Sequence, residues 1–271
     1  EMQQKMRKGQ VVVVELRSLS EEQIAALVKK AHQSGAKIIG YISIGELGQL
    51  EKTNFEQFLQ QKKISKSVES MLLSKNETFQ SWRIDVSETS WREFLKQRIH
   101  QIYTQNVDGL FLDTVDTSDL YITRKEWPIS RRAKSVEAMI SLIRMIKSLS
   151  PEKFIMQNRG LNLIGKTVFV GDATGIFIPG LDLAHAHLNN PDGLLWTGAY
   201  AHSSAWIASK ERDLIQINKR GFTTVFALGY ADTPIDRKQF FQRSGAAGFI
   251  PAWASSNTKL QEELTQETDA E

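Results

Sequence analysis

"GLFLDTVDT", residues 109–117, decides how this chain is read. Leu110, Phe111 and Leu112 form an unbroken apolar run, the pattern of a strand covered on both faces. Asp113 and Asp116 follow, three residues apart. A carboxylate does not follow such residues into a core unless it is paired or hydrogen-bonded. The strand therefore ends at Asp113, and that acid is either a structural anchor or part of a site onto which the strand opens.

Seven further runs share this character: VVVVE (11–15), KIIGYIS (37–43), WRIDV (82–86), KFIMQN (153–158), TGIFIP (174–179), TTVFALG (223–229) and GFIPAWA (248–254). Amphipathic segments lie between them. SEEQIAALVKKAHQSG carries a capping box from Ser20 to Gln23 and a closing Gly35. SWREFLKQRIHQIY repeats the box with Ser90 and Glu93. SVEAMISLIRMIKSLSP stops before Pro151, SSAWIASKERDLIQINKRG at Gly221 and DRKQFFQRSG at Gly245. Strands alternating with helices at this period predict an α/β fold, a single (β/α)8 TIM barrel of eight parallel strands. The rival is a doubly wound open sheet, but no Gly-rich phosphate fingerprint follows any strand. The barrel is expected to occupy residues 1–257, with 258–271 a polar tail.

Composition narrows the function classes. There are 34 basic and 31 acidic residues, a net charge of +3 without an arginine-rich block, which gives no argument for nucleic acid. The absence of cysteine excludes disulfides, thiolate catalysis and zinc–thiolate centres, and suits an exported bacterial protein. No apolar run approaches the ~20 residues of a membrane span. The opening EMQQKMRKGQ is neither a natural start nor a signal peptide, so any signal or anchor is expected outside this sequence. His185 and His187 are spaced by two, which fits no helical metal pair, and neither a metal nor a cofactor is expected.

In a barrel of this kind the site lies at the C-terminal ends of the strands. Those ends offer Glu15 and Arg17, Ser43 and Glu46, Asp85, Asp113 and Asp116, then Gln157, Asn158 and Arg159, Pro179 and Asp182, Tyr230 and Asp232, and Trp253. Carboxylates serve as acid, base or nucleophile, and aromatic faces stack on sugar rings, so carbohydrate is the substrate class this mixture suits. Trp127, in the long segment after the fourth run, and Trp253 are the stacking candidates. Each acid also has a structural reading: Asp85 as a turn cap, Asp116 as a turn or N-cap residue in DTSD. Asn76-Glu77-Thr78 matches a glycosylation sequon.

Four of these stretches, "GYISIGEL" (40–47), "VDGLFLDTVDT" (107–117), "FIMQN" (154–158) and "GFIPAWAS" (248–255), resemble glycoside hydrolase family 114 in order and spacing. That group includes endo-α-1,4-polygalactosaminidases and the hydrolase domains of Pel-polysaccharide enzymes. The resemblance implies a (β/α)8 barrel with Asp113 as a catalytic carboxylate. It also implies Tyr41, Ser43, Glu46, Asp108, Asp116, Gln157 and Asn158 as pocket positions. Three departures stand out. Pro179 occupies the place of the second catalytic glutamate, Gly229 precedes Tyr230 where relatives carry an acid, and Arg159 stands where a small or polar residue is commoner. Asp182, three residues past Pro179, is the candidate to replace the missing acid, with Glu46 beside it.

Two readings remain open from sequence. One is an active endo-glycosidase on a hexosamine-containing extracellular polysaccharide, with Asp113 as nucleophile or base and Glu46, Asp182 or Asp232 as proton donor. The other is a degenerate barrel that binds glycan or a protein partner without cleaving. Either is expected to be extracellular or cell-surface, monomeric, and in contact with oligosaccharide or polysaccharide.

Overall fold

The computed structural model describes residues 6–118, 129–163, 175–179, 204–220, 224–230 and 237–254. The chain divides into two compact units between Leu163 and Ile164.

The first unit holds β1 (Val11–Val14), β2 (Lys37–Ser43), β3 (Glu46–Leu47), β4 (Leu72–Asn76), β5 (Ser81–Ile84), β6 (Gly109–Asp113) and β7 (Phe154–Asn158). Its helices are α1 (Glu21–Ser34), α2 (Gln49–Gln61), α3 (Thr89–Tyr103) and α4 (Ile129–Leu149). Strands β1, β2, β6 and β7 pair in that order, all parallel. The apolar run at 82–86 does not join them. It forms β5, which pairs antiparallel with β3 and β4 in a separate small sheet, and β2 pairs directly with β6. The expectation of eight parallel strands fails here. β5 is short and closed by a hairpin with β4, so it finds its hydrogen bonds locally instead of beside β2.

The second unit contributes β8 (Gly175–Pro179), β9 (Thr224–Tyr230) and β10 (Ile250–Ala254), paired parallel in that order, with α5 (Ser204–Lys219) and α6 (Arg237–Ala247). Among the described residues neither set of parallel strands closes on itself.

Helix ends follow local chemistry. Ser20 and Gln23 form the expected reciprocal capping box, and α1 closes at Gly35 with φ +72°. The second box is absent. α3 begins at Thr89 with no side-chain cap, and Ser90 lies within the helix, its hydroxyl against Met71 Sδ at 3.3 Å. α6 runs through Gly245 and is closed instead by Gly248 at φ +74°.

Two features fix the strands that carry the candidate site. Gly109 opens β6 because a Cβ there would lie 1.9 Å from the Phe154 carbonyl oxygen, so only glycine lets β6 and β7 approach. An aromatic cluster of Phe55, Phe58, Trp91 and Phe94 packs α2 against α3 with ring centroids 5.1–6.2 Å apart. Trp91 is fully buried and donates Nε1–H to the Ile44 carbonyl at 2.9 Å, anchoring the segment just past β2.

Candidate active site

The register places Ser43 opposite Asp113 and Leu112 opposite Gln157, so the C-terminal ends of β2, β6 and β7 lie side by side. Period-two alternation then puts Tyr41 and Phe111 one step below Ser43 and Asp113 on the same face. Their rings stack at 6.1 Å.

Asp113 is the hub. Tyr41 Oη donates to its Oδ2 at 2.5 Å, Asn158 Nδ2 to its Oδ1 at 2.7 Å, and the Thr114 N–H to Oδ1 at 2.8 Å. Three donors from three segments fix the carboxylate's plane. Burial, and next the Asp113 charge, push the Tyr41 phenol far above the usual range, so it stays protonated as a donor.

Thr114 holds the turn that follows. It is left-handed at φ +62°, a strained conformation for a β-branched residue. Its hydroxyl donates to the Asp113 carbonyl at 2.6 Å, accepts the Gly45 N–H at 2.8 Å and lies 3.0 Å from Ser43 Oγ. Sequence reading passed over Thr114, since nothing in its neighbours announces a left-handed threonine.

Asp116 sits on the same turn, which is closed by Thr117 N–H to the Thr114 carbonyl at 3.1 Å. Its Oδ2 meets Arg159 Nη1 at 3.3 Å. Surrounding protein raises its proton affinity. Arg159 opposes that rise, and the nearby Asp113 charge adds to it. Arg159 is itself left-handed at φ +56°, and Gly160 follows at φ +68°. Gln157 is buried beneath them, donating Nε2–H to the Arg159 carbonyl at 2.6 Å.

Other expected site residues are placed differently. Glu46 is only 8 % exposed and is committed to the small sheet. Ser81 Oγ donates to it at 2.5 Å, Asn76 Nδ2 reaches both oxygens at 3.2 Å, and Arg83 Nε pairs with it at 3.2 Å. The sequon nitrogen of Asn76 is therefore already engaged. Asp85 accepts from Ser87 N–H at 2.9 Å and Ser87 Oγ at 2.6 Å, a turn leading into α3. Asp108 lies at the opposite end of β6 from Asp113. It accepts the Ile38 N–H at 2.8 Å and lies 3.2 Å from His32 Nε2, so it ties strand starts together and belongs to no pocket. Trp253 is buried against Phe240 at 5.5 Å and so presents no open face for a sugar. Pro179 ends β8 and Tyr230 ends β9. Trp127, Asp182, Asp232, His185, His187 and the tail from Thr258 lie outside the described residues.

At the end of β1, Arg17 forks onto Glu15, with Nη2 at 2.5 Å and Nε at 2.9 Å, and its Nη1 pairs with the buried Glu51 of α2. Glu15 and Arg17 both bear electrostatically on Tyr41, with opposite signs. Among the described residues no cluster of three potential metal ligands occurs, and no helix is long and apolar enough to cross a membrane.

Comparison with known proteins adds three findings. The model of Glycoside-hydrolase family GH114 matches residues 2–173. The glycoside hydrolase domain of PelA from Pseudomonas aeruginosa superposes with a TM-score of 0.65 at 19 % identity, covering 94 % of this chain and 90 % of that one. Aspergillus fumigatus Ega3, solved in complex with galactosamine, superposes with a TM-score of 0.56 at 13 % identity, covering 96 % and 95 %. At these identities the likeness concerns the fold. No curated protein sequence matches the chain significantly.

Proposed function

The chain belongs to glycoside hydrolase family GH114, and from that premise we propose that it cleaves a galactosamine-containing extracellular polysaccharide internally, at the site built around Asp113. The observation that carries this reading is the Asp113 carboxylate, held by Tyr41, Asn158 and the Thr114 N–H at adjoining strand ends. A carboxylate oriented by three donors suits attack on the anomeric carbon or activation of the water that attacks it. Ser43, Asn158, Arg159 and Asp116 line the same strand ends and are the proposed substrate contacts. Trp127, Asp182, Tyr230 and Asp232 complete the proposed set. Glu46 and Asp85 are assigned to structure, because their oxygens are already taken by Arg83, Ser81 and Asn76 in one case and Ser87 in the other.

The likeness to PelA and Ega3 over nearly the whole chain supports a barrel formed by residues 1–257, in which the small β3–β5–β4 sheet replaces a third parallel strand. A secreted or cell-surface monomer acting on polysaccharide is consistent with it.

Incubation with polygalactosamine and its N-acetylated form, followed by reducing-end measurement, tests the proposal. Turnover is expected on one of them. Asp113→Asn should abolish it while Tm stays within about 3 °C. One observation favours a second reading. β8 ends in Pro179, which has neither a side-chain acid nor an N–H. If no polymer is cleaved while oligosaccharide still binds, the chain is a glycan-binding barrel that has lost its chemistry.

A further inference from the structure

A glycosidase needs a proton for the departing oxygen, and Pro179 cannot supply it. The described carboxylates near these strand ends can be sorted by what already occupies their oxygens. Glu15 is forked by Arg17. Glu46 receives Arg83, Ser81 and Asn76. Asp85 receives two donors from Ser87. Asp113 receives three. Each of the four is an acceptor held in place by several donors, a setting that favours the charged form.

Asp116 differs. Its side-chain partner is one guanidinium nitrogen, at 3.3 Å from Oδ2. It is the accessible residue between buried Val115 and Thr117, with a third of its side chain open. Yet the protein around it desolvates it strongly enough to raise its proton affinity. Both conditions hold together for a carboxyl lining a cleft, reachable by a ligand and otherwise enclosed. The charged groups that face it are Arg159, after β7, which opposes protonation, and Asp113, at the end of β6, which favours it; its own backbone N–H also opposes.

We propose that Asp116 is the proton donor of this site and that Arg159 stabilises the carboxylate left behind. The inference rests on the hydrolase reading above. The proton passes from the Asp116 carboxyl to the glycosidic oxygen as the bond from that oxygen to the anomeric carbon breaks. The bonding pair stays on the oxygen, which leaves as an alcohol. The anomeric carbon takes a hydroxyl from water. The other hydrogen of that water, drawn off by a site carboxylate, restores the proton on Asp116. Arg159 then matters most at the moment of transfer, when its partner becomes fully charged.

The experiment compares the polymer with a nitrophenyl galactosaminide, whose leaving group departs as a stable anion and needs little protonation. Asp116→Asn should lower kcat/KM on the polymer by about 10²–10⁴ and on the aryl substrate by less than about tenfold, and it should remove the alkaline limb of the pH profile. Asp113→Asn should lose both substrates. Equal losses on the two substrates in Asp116→Asn, or this selective pattern in Asp182→Asn instead, overturn the assignment. If Asp116→Asn folds poorly with Arg159 unpaired, the double variant Asp116→Asn/Arg159→Gln is compared with Arg159→Gln. A carbon-13 titration of the Asp116 carboxyl needs no turnover. A midpoint above the ordinary aspartate range, lower in Asp113→Asn, supports the inference, and an ordinary midpoint overturns it. A wild type that cleaves neither substrate overturns the hydrolase reading, and the donor role falls with it whatever the titration shows.

Discussion

Tyr41 and Asp113 are joined by a 2.5 Å hydrogen bond between β2 and β6, strands neighbouring in space although 72 residues separate the two side chains. The bond can form because the β3–β5–β4 sheet and two helices are accommodated outside the parallel array. It fixes one oxygen of the acid on which the proposed chemistry depends.

Tyr41→Phe tests that dependence. The ring still stacks on Phe111, so packing is kept and only the donor is lost. A hydrogen bond to a charged group contributes about 1.5–3 kcal/mol. Turnover is therefore expected to fall by about tenfold or more, with a small drop in Tm. An alkaline absorbance titration gives a second measurement. Burial and Asp113 hold the Tyr41 phenol above the usual range, so Tyr41→Phe should not reduce the phenolate signal that develops around the ordinary tyrosine value.

Glu46 separates structure from catalysis by a different route. Its partner Arg83 has a side chain only 15 % exposed, so removing the carboxylate leaves a buried charge unpaired. Glu46→Ala should cost about 3–5 kcal/mol and Glu46→Gln less, since the amide oxygen can still accept from Arg83. Activity per folded molecule should stay within about threefold, a change of well under 1 kcal/mol. Collapse of activity at unchanged Tm would make Glu46 a catalytic acid.

Much of this was legible in the amino-acid order. Asp113 follows directly on Leu112, and an acid ending an apolar strand advertises its position. The Ser20 box and Gly35 are local and fully encoded. What was hidden depends on partners distant in sequence. Glu46 reads like a rim acid until Arg83, Ser81 and Asn76 fold over it. Asp108 and Asp113 flank the same short strand, and only its direction separates an anchor from a site. WRIDV has the apolar character of a core strand, and its pairing was decided by the nearby hairpin partner, which periodicity does not report. Trp253 ends a strand as a stacking residue might, but Gly229 opposite leaves a hollow that its ring fills.

That hollow gives a further test. A Cβ on Gly229 would lie 2.4 Å from two Trp253 ring carbons and 3.1 Å from Phe240. Gly229→Ala should cost about 1–3 kcal/mol through overpacking, and Trp253→Ala about 3–5 kcal/mol through the cavity it leaves. Oligosaccharide affinity per folded molecule should be unchanged in both, as measured by titration calorimetry. Weaker binding in Trp253→Ala at unchanged stability would place that ring against sugar.

The pH dependence of stability probes Asp116 without any substrate. Its ordinary value is 3.8, and in the folded chain it is raised, chiefly by desolvation. Between those two values the folded state binds more protons than the unfolded one, so stability falls as pH rises through this window. An ordinary ion-paired aspartate does the reverse. Asp116→Asn removes the titration. It also leaves Arg159 unpaired, but arginine keeps its charge throughout this range, so that cost is a constant offset. The wild-type stability minus that of Asp116→Asn, from denaturant unfolding between about pH 3 and pH 8, should therefore be most favourable at the acid end, decline as pH passes upward from the ordinary aspartate value, and then level off. A difference that grows with rising pH would mean that the pairing with Arg159 outweighs burial, and that Asp116 is a charged anchor with no proton to give.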